Sequence, residues 1–353
     1  MHPEPMTSLQ RVLTTLSHRE PDRVPFFLLA TMHGARELGL SIRDYFARAE
    51  HVIEGQLRLR AKYRHDCLYP FFYAPIEIEA WGGEVIYRED GPPNSGRPFI
   101  GHAEKIPHLT PPQVRECACL QKVLHAIAGL KVKTGDDAPI VSVVMSPFSV
   151  PVMQMGFEAY LLLLHERPEL FECLMRMNEE FCVEWANAQL TAGATAICYF
   201  NPVSSPTIIP KQLYLKTGYP VDRRTVARIK GPAAIHLASG SCLSILDCIA
   251  ESGMAAVGVS TLESLSQLKA AAAGKLTILG NLNGIEMRRW TPSETETIVK
   301  KAIAQAGPGG GYILSDNHGE IPWQVPDTVL LAISEAVHQW GRYPLAWAKA
   351  YDK

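Results

Sequence analysis

Short apolar runs rich in β-branched residues alternate along the chain with longer segments in which apolar positions recur every three to four residues. The first pattern is typical of buried strands and the second of amphipathic helices. Strands are predicted over residues 24–29, 67–71, 140–145, 195–200, 233–237, 255–259, 276–279 and 312–314. Helices are predicted over residues 47–63, 156–192, 243–252, 262–273, 293–306 and 326–340. This alternation predicts an α/β fold made of repeated βα units.

Eight strands separated by helices favour a closed (β/α)8 barrel of the TIM type, and a doubly wound open sheet is the alternative. No G-x-G-x-x-G motif follows the first strand, and the glycine run at 307–311 precedes a strand, which disfavours the open sheet. A helical extension precedes the first strand. The Gly- and Pro-rich region 82–112 predicts an irregular insertion with a hairpin. Because no linker composition divides the chain, we expect one domain over residues 1–353.

Composition narrows the choice of partner. The 34 Lys and Arg residues nearly balance the 36 Asp and Glu residues, and no basic stripe is present, so nucleic-acid binding is not expected. No run approaches ~18 uncharged apolar residues and the N-terminus lacks the order of a secretory signal, so we expect a cytoplasmic protein without membrane contact. The eight cysteines include no C-x-x-C pair and are expected to be reduced core residues. A small-molecule substrate is the remaining expectation.

In a parallel barrel the active site forms where the strands end, because the βα loops meet there. Polar, aromatic and sulfur-containing side chains recur at those ends, and the candidates for substrate binding are His33, Tyr73, Phe148, Met153, Tyr199, Asn201, Asn281 and Asp316. Several of these also fit a structural role. Asp316 fits an Asx turn, Asn281 fits a turn position, and Met153 fits the core. Glu320 fits either a site carboxylate or a solvated side chain.

Two histidines, His236 and His318, follow different strands, and each lies in a turn of small residues. Imidazoles act as general acids and bases, as hydrogen-bond donors or as metal ligands. We therefore expect His236 and His318 to be the catalytic pair, provided that the fold brings them to one cavity.

Five segments carry a resemblance to a known family. They are RVLTTLSHREPDRVP at 11–25, SPFSVPVMQMGFE at 146–158, the strand that ends in His236, ILGNLNG at 278–284 and GGGYILSDNHGEIPWQVP at 309–326. Together they resemble the uroporphyrinogen decarboxylase superfamily, which also contains methylcobalamin:coenzyme M methyltransferases and related corrinoid-dependent enzymes. The resemblance implies a distorted (β/α)8 barrel.

The resemblance also bears on whether the chain is closer to the decarboxylases or to the methyltransferases of this superfamily. Decarboxylases of the family carry an arginine in an RQAGR-like segment and an aspartate after the next strand. Here the first segment reads LLATMHGARELGLSIRDY, and the aspartate position falls near Phe72 or Tyr73. The segment HGARELG resembles the methyltransferase branch, whose zinc is bound by His-x-Cys and a later cysteine. Here those motifs read His236-Leu237-Ala238 and Asn317-His318, so a zinc site of His236, His318 and a carboxylate and a metal-free site both stay open.

The resemblance therefore implies an enzyme that transfers a methyl group between a corrinoid or methylated small molecule and an acceptor at the barrel mouth. Two alternatives stay open: decarboxylation of uroporphyrinogen, which needs no cofactor, and binding of a corrinoid or tetrapyrrole without catalysis. The partners it implies are a small-molecule or corrinoid substrate, a corrinoid protein and a second copy of the chain in a homodimer.

Overall fold

The computed structural model describes residues 5–350, and a parallel sheet of six strands forms most of its barrel. The strands follow one another in chain order, as expected when each is linked to the next by a helix. They are β3 (Val141–Met145), β4 (Ala196–Phe200), β5 (Ala233–His236), β6 (Ala256–Gly258), β7 (Thr277–Leu282) and β8 (Tyr312–Asp316). The predicted strands from residue 140 onward are confirmed.

Two extended segments without regular pairing close the barrel between β8 and β3. Phe26 pairs in parallel with Leu314 of β8, and Leu68 pairs in parallel with Ile140 beside β3. The amide of Asp66 donates to the carbonyl of Phe26 at 2.9 Å, which joins the two segments to each other. The barrel therefore consists of eight parallel segments, as predicted.

The first two segments of the barrel pair less regularly than the sequence pattern predicts, because each contains a proline. Pro25 and Pro70 lie inside the predicted strands, and each removes an amide donor from the ladder. These two segments therefore form few backbone hydrogen bonds with their neighbours, which agrees with the distorted barrel expected from the resemblance.

Helices surround the barrel. They are α1 (Ser8–Leu16), α2 (His33–Leu38), α3 (Ile42–Ala47), α4 (Ala49–Tyr63), α5 (Ile76–Ala80), α6 (Ala118–Thr134), α7 (Pro151–Met155), α8 (Phe157–Glu166), α9 (Pro168–Ala192), α10 (Lys211–Lys216), α11 (Gly218–Val226), α12 (Leu246–Glu251), α13 (Leu265–Ala272), α14 (Pro292–Ala306) and α15 (Asp327–Trp340). The helical pattern over 156–192 is broken into α8 and α9, because Pro168 occupies the first position of a new helix. None of the helices within residues 5–350 is both long and apolar enough to cross a membrane.

The insertion contains the hairpin that the turn-forming residues predict. Its strands are β1 (Val85–Ile86) and β2 (Asn94–Ser95), and they pair antiparallel with Val85 opposite Ser95. The helical extension before the first barrel segment is α1. A capping box formed by Thr7 and Gln10 provides hydrogen bonds for backbone amides at the start of this helix.

Buried charges fasten α1 to the barrel. Asp66 is fully buried and accepts hydrogen bonds from the guanidinium groups of Arg11 and Arg23, at distances between 2.6 and 3.0 Å. Arg11 also forms an ion pair with Asp22 at 2.6 Å. These residues belong to the segment 11–25 that carries part of the family resemblance, so that segment has a structural role.

The barrel interior is apolar and incompletely filled below His236. A cavity of about 80 Å³ lies between α1 and this histidine. Val12 and Leu16 of α1 and Ala234 and Ala256 of the barrel are among the residues that line it. Small side chains at these inward positions leave the space open. His236 therefore marks the boundary between an apolar interior and the carboxyl ends of the strands.

Candidate active site

His236 ends β5 and lies in a row of side chains that the sheet register aligns across the barrel mouth. Phe200 of β4 pairs with His236, and His236 pairs with Gly258 of β6. The Phe200 and His236 rings stack, with centroids 5.5 Å apart and planes at 14°. A Cβ atom on Gly258 would lie 2.3 Å from the His236 ring, and one on Gly319 would lie 3.2 Å from it. Glycine at both positions therefore leaves the room that the imidazole occupies.

The hydrogen bonds of His236 fix the position of its proton. The backbone amide of Ala238 donates to its Nδ1 at 3.1 Å, so the neutral ring carries its hydrogen on Nε2. Burial and, to a smaller extent, the charge of nearby His318 lower the pKa of His236 to about 4. Its Nε2 is buried and has no hydrogen-bond partner. At neutral pH His236 is therefore an uncharged donor with a free N–H.

His318 follows β8 and is held by a residue of the turn that follows His236. Its Nδ1 is hydrogen-bonded to the hydroxyl of Ser239, and its Nε2 has no hydrogen-bond partner. Ala238 and Ser239 both have left-handed backbone angles, with φ of 47° and 70°, and this turn directs the Ser239 hydroxyl at the ring. Burial lowers the pKa of His318. When Nδ1 donates to Ser239, the free Nε2 is a base.

Two carboxyl groups flank His318. Asp316 accepts hydrogen bonds on Oδ1 from the amides of His318 and Gly319, at 2.9 and 2.8 Å, so it forms the Asx-type turn that the sequence allowed. Its Oδ2 is buried without a partner, and burial raises the pKa of Asp316 to about 6. Glu320 accepts a hydrogen bond from Thr31, and burial raises its pKa to about 7. Both carboxyl groups belong to the site.

Apolar side chains form another wall of the mouth. Phe71, Met153 and Phe200 are partly exposed, and Met153 and Phe200 pack against one cluster that includes Met145. Phe71 lies 5.8 Å from the ring of Tyr69, whose hydroxyl donates to the carbonyl of Gly319 at 3.2 Å. Met153 therefore packs against the same cluster as Phe200, whose ring stacks on His236. Phe71, Phe200 and Tyr69 were not among the candidates.

Tyr199, Asn201 and Phe148 lie in a different cluster. The hydroxyls of Ser146 and Ser149 donate to Asn201 Oδ1 at 2.7 Å, and Asn201 Nδ2 donates to Asp222 at 2.9 Å. The Tyr199 hydroxyl also donates to Asp222, at 2.8 Å. Because alternate strand residues face opposite sides and Phe200 faces inward, Tyr199 faces the helices. The ring of Phe148 packs against Tyr160 and Phe171. These side chains tie the loops after β3 and β4 to α11.

The three remaining candidates make contacts that lead away from the imidazole pair. His33 begins α2 and packs against the ring of Trp323 at 6.0 Å, and burial lowers its pKa to about 3. The Tyr73 hydroxyl donates to Glu79 at 2.7 Å. Asn281 donates to the carbonyl of Ser260 at 2.9 Å and borders a separate polar pocket of about 320 Å³.

The donor atoms present do not fit the zinc site implied by the resemblance. Among residues 5–350, no three His, Cys, Asp or Glu side chains are grouped as ligands of a metal ion. The two imidazoles supply two ligands, and Ala238 stands where the branch has a cysteine. Cys242 is buried, and burial raises the pKa of its thiol well above the ordinary value. No zinc-bound step is therefore derived for this chain.

Comparison with known proteins agrees with the resemblance. The sequence model of the family described as uroporphyrinogen decarboxylase (URO-D) matches residues 7–340. The chain is 24% identical to the uroporphyrinogen decarboxylase of Aromatoleum aromaticum over 82% of each protein. It is 23% identical to that of Mannheimia succiniciproducens, covering 96% of this chain and 99% of the relative.

Among solved structures, a methyltransferase from Methanosarcina mazei superposes with a TM-score of 0.79 at 19% sequence identity, covering 95% of this chain and 99% of that protein. At this level of identity the superposition establishes the fold, which is the TIM-type barrel of this superfamily. The match over 7–340 spans nearly the whole chain, and the chain therefore belongs to the uroporphyrinogen decarboxylase family.

Proposed function

We propose that the chain is a methyltransferase-like member of this family, which moves a methyl group between a corrinoid or methylated small molecule and an acceptor at the barrel mouth. The observation that carries the proposal is the imidazole pair. His236 and His318 are close enough to interact electrostatically, and each has an Nε2 atom without a hydrogen-bond partner. One imidazole can therefore donate a hydrogen bond and the other can act as a base.

The charges at the mouth support methyl transfer over the decarboxylation of a polycarboxylate. A decarboxylase that binds several carboxylates needs cationic side chains at its site. At this mouth the charged groups beside the imidazoles are the carboxyls of Asp316 and Glu320, and within residues 5–350 neither forms an ion pair with a lysine or arginine. Carboxylates of a substrate would meet like charges.

The proposed chemistry assigns a separate role to each histidine. The methyl donor supplies a methyl group as a cation equivalent, and the acceptor is a group with an ionisable S–H, N–H or O–H. His318 Nε2 takes the proton of the acceptor, and the freed electron pair forms the bond to carbon. The Nε2–H of His236 donates a hydrogen bond that orients the acceptor atom. Ser239 keeps the His318 ring in place.

The experiment incubates the protein with methylcobalamin and, separately, with methylated amines, in each case with coenzyme M and a panel of other thiols. Mass spectrometry then measures methylated thiol. We expect methylated product with the wild type and a fall of roughly 100-fold or more in rate for His236→Ala and His318→Ala. The matched control is His125→Ala, since His125 is exposed on α6. Absence of methylated product with every donor and acceptor would refute the proposal.

Decarboxylation of uroporphyrinogen is the second candidate, because the curated relatives carry that name. The same preparation is incubated with uroporphyrinogen, and coproporphyrinogen is measured. Formation of coproporphyrinogen without methyl transfer would replace the first candidate by the second. Tight binding of a corrinoid or tetrapyrrole without either product would identify a binding protein.

A further inference from the structure

The carboxyl groups and aromatic rings at the mouth point to the charge of the substrate. Resting on the proposed function, we infer that the methylated substrate is a cation whose methylated ammonium group lies between the rings of Phe71 and Phe200 and the carboxyl groups of Asp316 and Glu320.

Asp316 is the first observation. Its side chain is 1% exposed, and its Oδ1 is occupied by the amides of His318 and Gly319. Its Oδ2 is buried and has no hydrogen-bond partner. A buried carboxyl oxygen normally has a donor or a cation beside it, because burial without a partner costs free energy. A cationic ligand supplies that partner.

The carboxyl group of Glu320 lies nearer the solvent than that of Asp316. Thr31 donates to its Oε1, and the residue remains partly exposed. Asp316 is close enough to raise the pKa of Glu320 by charge repulsion. The two carboxyl groups therefore form one acidic patch, with Asp316 at its floor and Glu320 at its rim. Neither is neutralised by a side chain of the described chain, as the absence of an ion pair at either residue shows.

His236 is an independent observation beside this patch, because Gly319, which lies between Asp316 and Glu320 in the chain, packs against the rings of both His236 and Phe200. It is 1% exposed, it belongs to a different strand from the acidic patch, and its Nε2 lacks a partner. The apolar wall complements these polar atoms. Phe71 and Phe200 are partly exposed and pack against the same cluster of barrel residues. Aromatic faces together with carboxyl groups are the combination that binds quaternary ammonium ions.

A cationic methyl donor also favours cleavage of the C–N bond. When the methyl group leaves a quaternary ammonium ion, the electron pair of the C–N bond stays on nitrogen and a neutral tertiary amine departs. A neutral amine would instead have to depart as an amide anion. The thiol sulfur forms the new bond to carbon, and its proton passes to His318 Nε2. The positive charge moves from the substrate to the imidazole, so atoms and charge balance.

The test compares choline with 3,3-dimethyl-1-butanol, which has the same shape and no charge. Isothermal titration calorimetry is carried out at pH 8 with the full chain. We expect choline to bind at least about tenfold more tightly than the neutral alcohol. We expect Asp316→Asn and Glu320→Gln each to remove most of this preference. The control Glu286→Gln changes an exposed glutamate in the loop after β7, and it should keep the preference.

Equal binding of the two compounds, or no binding of choline, would overturn the inference. Choline binding that is unchanged in both Glu320→Gln and Asp316→Asn would also overturn it, and Glu320→Gln decides the matter if Asp316→Asn does not fold. The outcome is separate from that of the proposed function. A charge preference without methyl transfer would keep the cation site and remove the methyltransferase. Methyl transfer from neutral donors without that preference would do the reverse.

Discussion

Gly258→Ala is the substitution that most sharply probes the packing of the catalytic histidine. The backbone of Gly258 has an ordinary strand conformation, so alanine adds no backbone strain. Its Cβ would lie 2.3 Å from Cδ2 and 2.8 Å from Nε2 of His236. Ordinary contact begins at 3.4 Å, so the ring has to move by about 1.1 Å. The stacked ring of Phe200 and the backbone of Gly319 leave it little room.

We expect Gly258→Ala to lower the free energy of unfolding by about 1 to 3 kcal/mol, as overpacking does. We also expect it to slow methyl transfer roughly 100-fold, because displacement of a catalytic group by about 1 Å has that effect. Urea unfolding and the rate assay measure both quantities. The control Gly101→Ala, where a Cβ meets nothing within 4 Å, should change neither.

A double-mutant cycle separates the clash from other effects. In a His236→Ala background the obstructing ring is absent, so Gly258→Ala should cost less than about 0.5 kcal/mol. If the cost of Gly258→Ala is the same in both backgrounds, the described contact between Gly258 and His236 is wrong.

Three further predictions concern stability and metal binding. Burial raises the pKa of Glu77 from 4.5 to about 8, so the folded state keeps a proton that the unfolded chain releases. The stability that Glu77 contributes should therefore fall by roughly 3 to 5 kcal/mol as the pH rises through this window. In urea titrations at pH 5 and 9, Glu77→Gln should remove this part of the fall, while Asp222 and Glu320, whose pKa values are also raised to about 7, keep theirs. Asp66→Asn should lower the free energy of unfolding by about 3 kcal/mol or more, whereas Asp136→Asn, which breaks an exposed ion pair, should change it by less than about 1 kcal/mol. With His236 and His318 as its two ligands, added zinc should bind with a Kd of roughly micromolar or weaker, as measured by calorimetry.

Each of these expectations has a contrary result. A pH dependence that is equal in the wild type and Glu77→Gln would contradict the raised pKa of this buried glutamate. Equal losses for Asp66→Asn and Asp136→Asn would contradict the buried charge network. Stoichiometric zinc retained through chelation, and lost in His318→Ala, would show a third ligand that the structure does not bring together.

The sequence predicted the barrel well because its signal is local. Strand and helix patterns reflect the neighbours of each residue, and the six regular strands appear where apolar runs were found. Pro25 and Pro70 lie within predicted strands. The strand pairing that each proline removes depends on which neighbouring strand its amide would have bonded, and the local apolar sequence does not show that neighbour.

The site residues stay a prediction, because the sequence shows where strands end but not the direction of each side chain. His236, His318 and Asp316 all lie at the carboxyl ends of strands, as expected. Tyr199 faces away because the alternation of β4 sends Phe200 inward, and an assignment of Phe200 as an inward residue would have redirected the prediction.

Glu320 and Ser239 depend on contacts with distant segments. Glu320 is held by Thr31, and Ser239 by the ring of His318. Both contacts join loops that are far apart in the sequence, and no local pattern marks them. The signal that was available for Glu320 was its place two residues after His318.

The measurement that tests the central claim most directly is kcat/KM for methyl transfer in the wild type, His236→Asn, His318→Asn and the double variant. If the two imidazoles act on the same reacting atoms, each single substitution removes most of the activity and the double variant is little worse than either single variant. Single variants that keep wild-type kcat/KM, or losses that multiply as they do for independent sites, would contradict the claim.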